Sequence, residues 1–176
     1  MTLFDKHALP PQELKLSSGT VRVQKGSWQF RRWHGEPPPR THGNKPIVEW
    51  EGSATFAEIA LLSVLKQNGF TGAVWRDNWR RCFRAAMPPA KCDEPEPVRE
   101  LCNRIRARMR RDDWSGCWDV LAWNQNGVTF IECKKAKGGD RINPNQIRWM
   151  EAALQEGRTA DDFAICEWRF DLERGV

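Results

Sequence analysis

Residues 128–135, with the sequence VTFIECKK, decide the fold prediction because they combine the pattern of a strand with charged side chains. Successive side chains of a strand point to opposite faces of a sheet. Phe130, Glu132 and Lys134 therefore share one face, and Cys133 lies on the other. A carboxylate and an ammonium on an apolar face suit either an exposed edge strand with a surface ion pair or a buried site.

The residues before this strand predict a β-hairpin. A second strand is expected over 118–123, and Asn126-Gly127 is typical of a two-residue hairpin turn. With that turn, Asp119 lies opposite Lys134 and diagonal to Glu132, on the same face of the sheet. A slip by one residue would move Asp119 to the other face. The turn chemistry therefore predicts two carboxylates and a lysine side by side.

Two carboxylates held together among apolar side chains repel each other and lose hydration. Either a carboxyl pKa then rises or a cation binds between them. Oxygen ligands of this kind suit Mg²⁺, with Mn²⁺ as a substitute. A metal ion on Asp119 and Glu132 would polarise a phosphoryl oxygen, while Lys134 orients or deprotonates the nucleophile. The competing interpretation is a solvated ion-paired trio on an exposed hairpin.

The rest of the pattern predicts a mixed α/β domain over residues 48–176. Its expected elements are a helix at 55–68, strands at 72–75, 118–123 and 128–135, a helix at 144–155 and a strand at 163–170. This gives the order α-β-β-β-α-β. An insertion at about 76–116 interrupts the order, and apolar residues at helical spacing over 98–109 predict an amphipathic helix within it.

Residues 1–47 are expected to form a loose N-terminal arm. The segment is rich in proline and contains two short β-like pieces, at 20–24 and 27–33, which predict one hairpin. We expect this arm to contact a protein partner or a second copy of the chain.

Composition limits the class of protein. The net charge is +5 with a pI near 9.0, which favours polyanionic partners. The six cysteines contain no C-x-x-C pair, so we expect free thiols rather than a zinc ribbon. No apolar run reaches membrane-spanning length, and the first residues lack an apolar signal segment. We therefore expect a cytoplasmic or nucleoid-associated protein without a membrane partner.

Basic residues predict where nucleic acid would bind. The insertion helix is rich in arginine and poor in acids, so we expect it to contact backbone phosphates together with Lys135 and Lys137. The competing interpretation is a solvated helix face. The arginines concerned are Arg99, Arg104, Arg106, Arg108, Arg110 and Arg111.

The motif Asp119…Glu132-Cys133-Lys134, on a hairpin after a helix, resembles the PD-(D/E)XK nuclease superfamily. The continuation ECKKAKGGDRINPNQIRW resembles the virus-type replication-repair nuclease (VRR-NUC) domain, in which a glutamine-bearing helix follows such a loop. The resemblance covers roughly residues 55–170, with dense motifs only over 116–150. Trp118 stands where the family usually has proline.

The resemblance implies a restriction-endonuclease-like core and a Mg²⁺-dependent DNA endonuclease. Structure-specific cleavage of branched or junction DNA is one option for such an enzyme, in repair, recombination, phage or defence biology. The alternative is a nuclease-fold subunit, or a nucleic-acid-binding module, within a larger recombination or defence complex. The backbone carbonyl of Cys133 would be a further metal ligand.

The resemblance also implies two residues outside the hairpin. An acidic residue is expected on the first helix, where Glu58 is the match and Glu49 and Glu51 compete. Glu58 also fits a capping box with Thr55. Gln146 is expected next to the active site, although Asn143-Pro-Asn-Gln146 equally predicts a helix cap.

Overall fold

The computed structural model describes residues 4, 7–38, 45–87, 90–93, 95–110, 113–138 and 141–171. Within them the chain forms ten strands and three α-helices. In chain order these are β1 (Ala8–Leu16), β2 (Gly19–Arg32), β3 (Val48–Trp50), β4 (Ser53–Thr55), α1 (Ala57–Gln67), β5 (Gly72–Asp77), β6 (Cys82–Arg84), β7 (Lys91–Cys92), α2 (Glu96–Arg108), β8 (Val120–Asn124), β9 (Gly127–Lys135), α3 (Pro144–Gln155) and β10 (Phe163–Phe170). This is the mixed α/β fold that the sequence predicts.

All ten strands belong to one sheet. Its order is β4-β3-β2-β10-β9-β8-β5-β6-β7, and β1 pairs with β2 outside this path. Neighbouring strands are antiparallel, except that β10 runs parallel to both β2 and β9. The candidate hairpin β8–β9 therefore lies in the middle of the sheet and is not an exposed edge.

Helices cover both faces of the sheet. The apolar residues of α1 pack with Val120 and Ile131 on one face, which we call the α1 side. Those of α2 and α3 pack with Leu121 and Phe130 on the other face, the α2/α3 side. Consecutive residues of the hairpin thus enter different cores, as the alternation of a strand requires. No described helix is both long and apolar enough to span a membrane.

The predicted element order from α1 to β10 is confirmed. The last helix and the last strand have the predicted bounds, and the amphipathic helix of the insertion is α2. The insertion also contains β6 and β7, which the sequence did not predict. Both strands are too short, at three and two residues, to carry a readable alternation.

The prediction of a loose N-terminal arm is wrong. The predicted hairpin of 20–24 with 27–33 is wrong, because both pieces belong to one continuous strand, β2. The hairpin partner of β2 is β1, and β2 also pairs with β10 from Gln24 to Phe30 and with β3 beyond that. The sheet therefore crosses the expected boundary at residue 47. β1 contains Pro10-Pro11, and its pairing with β2 shifts register between Leu9 and Gln12. An outer strand tolerates proline at such an irregularity.

The predicted hairpin register is also wrong, by two residues. Asn124 pairs with Gly127, so the turn is formed by Gln125-Asn126 rather than by Asn126-Gly127. The Asn124 side chain accepts the Asn126 N–H at 2.8 Å and closes this turn. Continuing the ladder from Val120↔Ile131 places Asp119 opposite Glu132. A shift by two residues preserves the faces, so the predicted grouping of side chains survives.

Candidate active site

Asp119, Glu132 and Lys134 come together where β8 begins and β9 ends. The Asp119 N–H donates to Glu132 Oε2 at 3.3 Å, and an Asp119 carboxylate oxygen accepts the Cys133 N–H at 3.1 Å. Lys134 Nζ lies 2.8 Å from Glu132 Oε1, and both of these side chains are buried. The interpretation as a solvated trio on an exposed hairpin is therefore wrong.

The Asp119 carboxyl lies in an environment that disfavours its charge. Burial, followed by the negative charges of Glu132 and Glu58, raises the pKa of Asp119 well above its ordinary value. Lys45 and the Cys133 N–H oppose this shift. A cation bound here would relieve the repulsion between the carboxylates.

Glu58 is the acidic residue of α1 that joins this group. The helix begins after Phe56 without any side-chain cap, and the Thr55 hydroxyl is buried without a hydrogen-bond partner among the described residues. The predicted capping box is therefore wrong. Glu58 Oε1 accepts from Lys45 Nζ at 2.6 Å, whereas its buried Oε2 has no hydrogen-bond partner among the described residues.

The two competing glutamates are placed differently. Glu51 accepts from Gln67 at 3.1 Å on the exposed side of the β3–β4 turn. Glu49 lies on β3, opposite Arg31 and Ala54. Of the three glutamates, Glu58 is the one whose charge raises the pKa of Asp119.

Lys45 is a site residue that the sequence did not reveal. Its ammonium bonds to Glu58 and lies 5.1 Å from the centre of the Trp75 ring. Glu58 and Asp119 raise its pKa against the opposing effect of burial. Lys45 precedes β3 in a proline-flanked segment, and no periodicity or motif marks it.

Gln146 is buried and serves as a cap. Its side-chain oxygen accepts the Asn143 N–H at 3.0 Å, while Asn143 accepts the backbone N–H groups of Asn145 and Gln146. The backbone carbonyl of Gln146 accepts from the Trp118 indole at 3.3 Å, next to Asp119 in the chain. The predicted cap is confirmed, and it holds the start of α3 against the residues that lead into β8, next to Asp119.

Gly116 makes this close approach feasible. Its φ is +88°, and a Cβ at this position would lie 2.2 Å from the Asn145 carbonyl oxygen. Any larger residue would push the loop before Asp119 away from α3.

Cys133 contributes its backbone N–H to the site, and not its thiol. Its thiol faces the α1 side opposite Cys166, and a hydrogen bond with Cys166, together with burial, raises the pKa of Cys133 well above the ordinary value. The thiol therefore stays protonated and is a poor metal ligand. All six cysteines are free.

The donor set fits a hard cation with an open coordination sphere. In the described ranges, no three His, Cys, Asp or Glu side chains form a metal-binding group. Mg²⁺ uses one or two carboxylates and keeps several waters, so the pair Asp119 and Glu132 is sufficient. The unpartnered Glu58 Oε2 is an oxygen of the kind that a metal-bound water would satisfy.

A basic cavity of about 510 Å³ borders Lys134. Its described lining includes Lys25, Lys134, Lys135, Lys137 and Arg141, with Glu167 as the one carboxylate among the described lining residues. Glu167 pairs with Lys25 at 3.0 Å, which leaves an excess of positive charge.

The arginines of α2 are largely paired, and the expectation that nearby acids are lacking is wrong. Arg104 and Arg108 both bind Glu156 at the end of α3, and Arg104 also binds Glu100. Arg99 binds Glu96 at 2.6 Å. Arg106 lies over the Trp114 ring. Arg110 lies just beyond the end of α2, and Arg111 lies outside the described residues.

A scan against protein-family models and searches among curated proteins and solved structures gave no match. The resemblance to PD-(D/E)XK nucleases therefore rests on the motif residues themselves.

Proposed function

We propose that the chain is a Mg²⁺-dependent endonuclease that hydrolyses phosphodiester bonds in DNA, with a restriction-endonuclease-like core of the VRR-NUC type. The observation that carries this proposal is the Asp119 carboxylate, held on the backbone of β9 beside Glu132 and electrostatically close to Glu58. Such a group of acids without a bound cation raises the free energy of the folded state.

Asp119 and Glu132 would hold the metal, with the Cys133 carbonyl as a further ligand. The metal would polarise a phosphoryl oxygen and lower the pKa of a bound water. Glu132 fixes the Lys134 ammonium at 2.8 Å, so that Lys134 can orient the attacking water and neutralise charge on the phosphate. Glu58 would accept hydrogen bonds from the surrounding water shell.

The activity is tested by incubating the chain with labelled duplex, flap, junction and single-stranded DNA in the presence of Mg²⁺ or Mn²⁺. We expect products that disappear when EDTA is added. Binding of DNA without any cleavage would instead support the alternative, a nuclease-fold binding module within a larger complex.

Glu58→Gln separates a role in the metal shell from a purely structural one. Cleavage should fall about 10- to 100-fold, the usual cost of losing a residue that orients metal ligands. Stability should fall far less than activity, because the glutamine oxygen can still accept from Lys45 and the change also removes the repulsion with Asp119. The matched control is Glu51→Gln, which should leave cleavage unchanged. If Glu58→Gln cleaves normally, Glu58 has no part in the site.

The basic cavity, rather than α2, is expected to dominate contacts with DNA phosphates. Lys137→Gln/Arg141→Gln should weaken binding to all DNA sequences alike. It should also reduce the slope of log K against log salt by about 0.9 for each phosphate that is no longer neutralised. Arg104→Gln/Arg108→Gln is the control, because Glu156 already pairs with both arginines. If the control variant loses more DNA affinity than Lys137→Gln/Arg141→Gln does, α2 is the DNA-binding surface, as the sequence first suggested.

A further inference from the structure

A second cavity, of about 550 Å³, lies where the turn between β5 and β6 meets the start of α3. Its walls include the cation Arg76, the exposed Arg81, the aromatic Trp114 and the polar side chains of Asn78 and Asn145. Nothing in the nuclease mechanism uses these residues.

Arg76 is the unexplained group in this cavity. It is buried, with only 4% of its surface exposed, and its Nε has no hydrogen-bond partner among the described residues. The guanidinium lies 5.2 Å from the ring centres of Phe83 and Trp114. Burial lowers the pKa of Arg76, although the group stays charged. A buried guanidinium normally has an acceptor, because an unpaired buried charge is costly.

Among the described residues, the acids near Arg76 are already engaged. Asp77, the next residue, pairs with Arg84 at 2.7 Å and accepts the Arg80 N–H at 2.9 Å. Asp113 lies at the exposed rim of the cavity, where its carboxylate accepts the Ser115 N–H at 3.0 Å. An anion in the cavity would therefore meet a buried cation, the exposed Arg81 and the positive end of the α3 dipole.

The cavity is close to the candidate metal centre. The Arg76 backbone N–H donates to the Asp119 carbonyl at 2.6 Å, and Gln146 lines the cavity. We propose that the Arg76 cavity is a second subsite, which binds a phosphate group of the nucleic-acid strand beside the reacting phosphate. The inference that the ligand is a nucleic-acid strand rests on the proposed function. The inference that the cavity binds phosphate does not.

Trp79 favours a nucleic-acid strand that reaches this turn. It is 86% exposed and is the one exposed large hydrophobic residue in the described part of the chain. It stands between Asn78 and Arg81, both of which line the cavity. An exposed indole beside cations is the arrangement on which unpaired bases stack. We therefore expect the bound strand to be unpaired at this point.

The first test uses inorganic phosphate as the probe and thermal unfolding as the readout, at constant ionic strength with chloride as the reference salt. Wild-type protein should be stabilised by phosphate beyond the general effect of an excluded salt. Arg76→Gln should remove this extra stabilisation, and Arg80→Gln, on the same turn but outside the cavity, should retain it. Equal responses in all three chains would overturn the proposal.

Arg81→Asn keeps the test decisive if Arg76→Gln does not fold. Arg81 is exposed and has a φ of +54°, a conformation that asparagine tolerates well. Removal of one charge-assisted hydrogen bond should weaken phosphate binding at least about tenfold. Unchanged phosphate binding by Arg81→Asn, in the absence of a folded Arg76→Gln, would reject the site.

The second test distinguishes a strand phosphate from free phosphate. A single-stranded oligonucleotide is titrated into the chain with EDTA present, so that no cleavage takes place. Arg81→Asn should weaken the binding of both phosphate and oligonucleotide, whereas Trp79→Ala should weaken only that of the oligonucleotide. If both variants bind the oligonucleotide like wild type, the cavity takes free phosphate and the strand subsite is rejected. The proposed nuclease activity can be rejected independently of the subsite. A chain that cleaves DNA normally but does not bind phosphate rejects the subsite alone.

Discussion

Asp119→Asn is expected to abolish cleavage and at the same time to stabilise the protein. The asparagine oxygen can still accept the Cys133 N–H, so the fold should be kept. Without the carboxylate, the proposed metal would lose a charged ligand, and the rate should fall by about 10³, the scale of losing a charge-stabilising group. The same change removes the repulsion with Glu132 and Glu58.

The stabilisation should depend on pH in a defined direction. The pKa of Asp119 is raised in the folded state, so the folded chain holds a proton that the unfolded chain releases. The stability of the wild type therefore falls as pH rises from the unfolded-state pKa to the raised one. Asp119→Asn lacks this fall, and its advantage should grow across that window and then stay constant.

Urea unfolding in EDTA, from about pH 4 to about pH 9, measures this difference across the carboxyl range. Asp161→Asn is the control, because Asp161 is an exposed carboxylate in the short turn before β10. The control should match the wild type in both stability and cleavage. An Asp119→Asn chain that cleaves DNA, or that is less stable at every pH, would contradict the assignment.

Lys134→Met is expected to have the second-largest effect, and it acts on stability as well as activity. The change leaves the buried Glu132 carboxylate without its ammonium partner, and breaking such a pair costs about 3 kcal/mol. The double variant Glu132→Gln/Lys134→Met removes both charges and should recover most of that stability. Cleavage should be abolished in both variants, because each lacks the ammonium that is proposed to orient the attacking water.

The pair Lys25–Glu167 provides the control for stability. It joins β2 to β10 at 3.0 Å and is less buried than the Lys134 pair. Lys25→Met should therefore cost less than about 1 kcal/mol, as for other solvated ion pairs. A Glu132→Gln/Lys134→Met chain that still cleaves DNA would show that the pair is structural only.

The sequence predicted the central hairpin and α3 well because those signals are local. Alternation placed Glu132 and Lys134 on one face, and this assignment depends only on the parity of the register. The register itself depended on a competition between two turns, and the Asn124 side chain decided it. An energy difference of one side-chain hydrogen bond is too small to read from dipeptide preferences.

Other features could not be predicted because their causes lie far away in the chain. Glu156 binds Arg104 and Arg108 across about fifty residues, so the arginine helix looked unpaired. Lys45 reaches Glu58 only through the packing of α1 against the sheet. Composition likewise suggested a loose N-terminal arm, whereas the parallel pairing of β2 with β10 is a tertiary contact.

Binding of Mn²⁺, followed by the electron paramagnetic resonance signal of the free ion, tests the metal centre without any assumption about substrate. The wild-type chain is expected to remove Mn²⁺ from solution, and Mg²⁺ should displace it. The Asp119→Asn chain, shown to be folded, should leave the free-ion signal nearly unchanged. Equal Mn²⁺ binding by the two chains, or no binding by the wild type, would contradict a metal centre on Asp119 and Glu132.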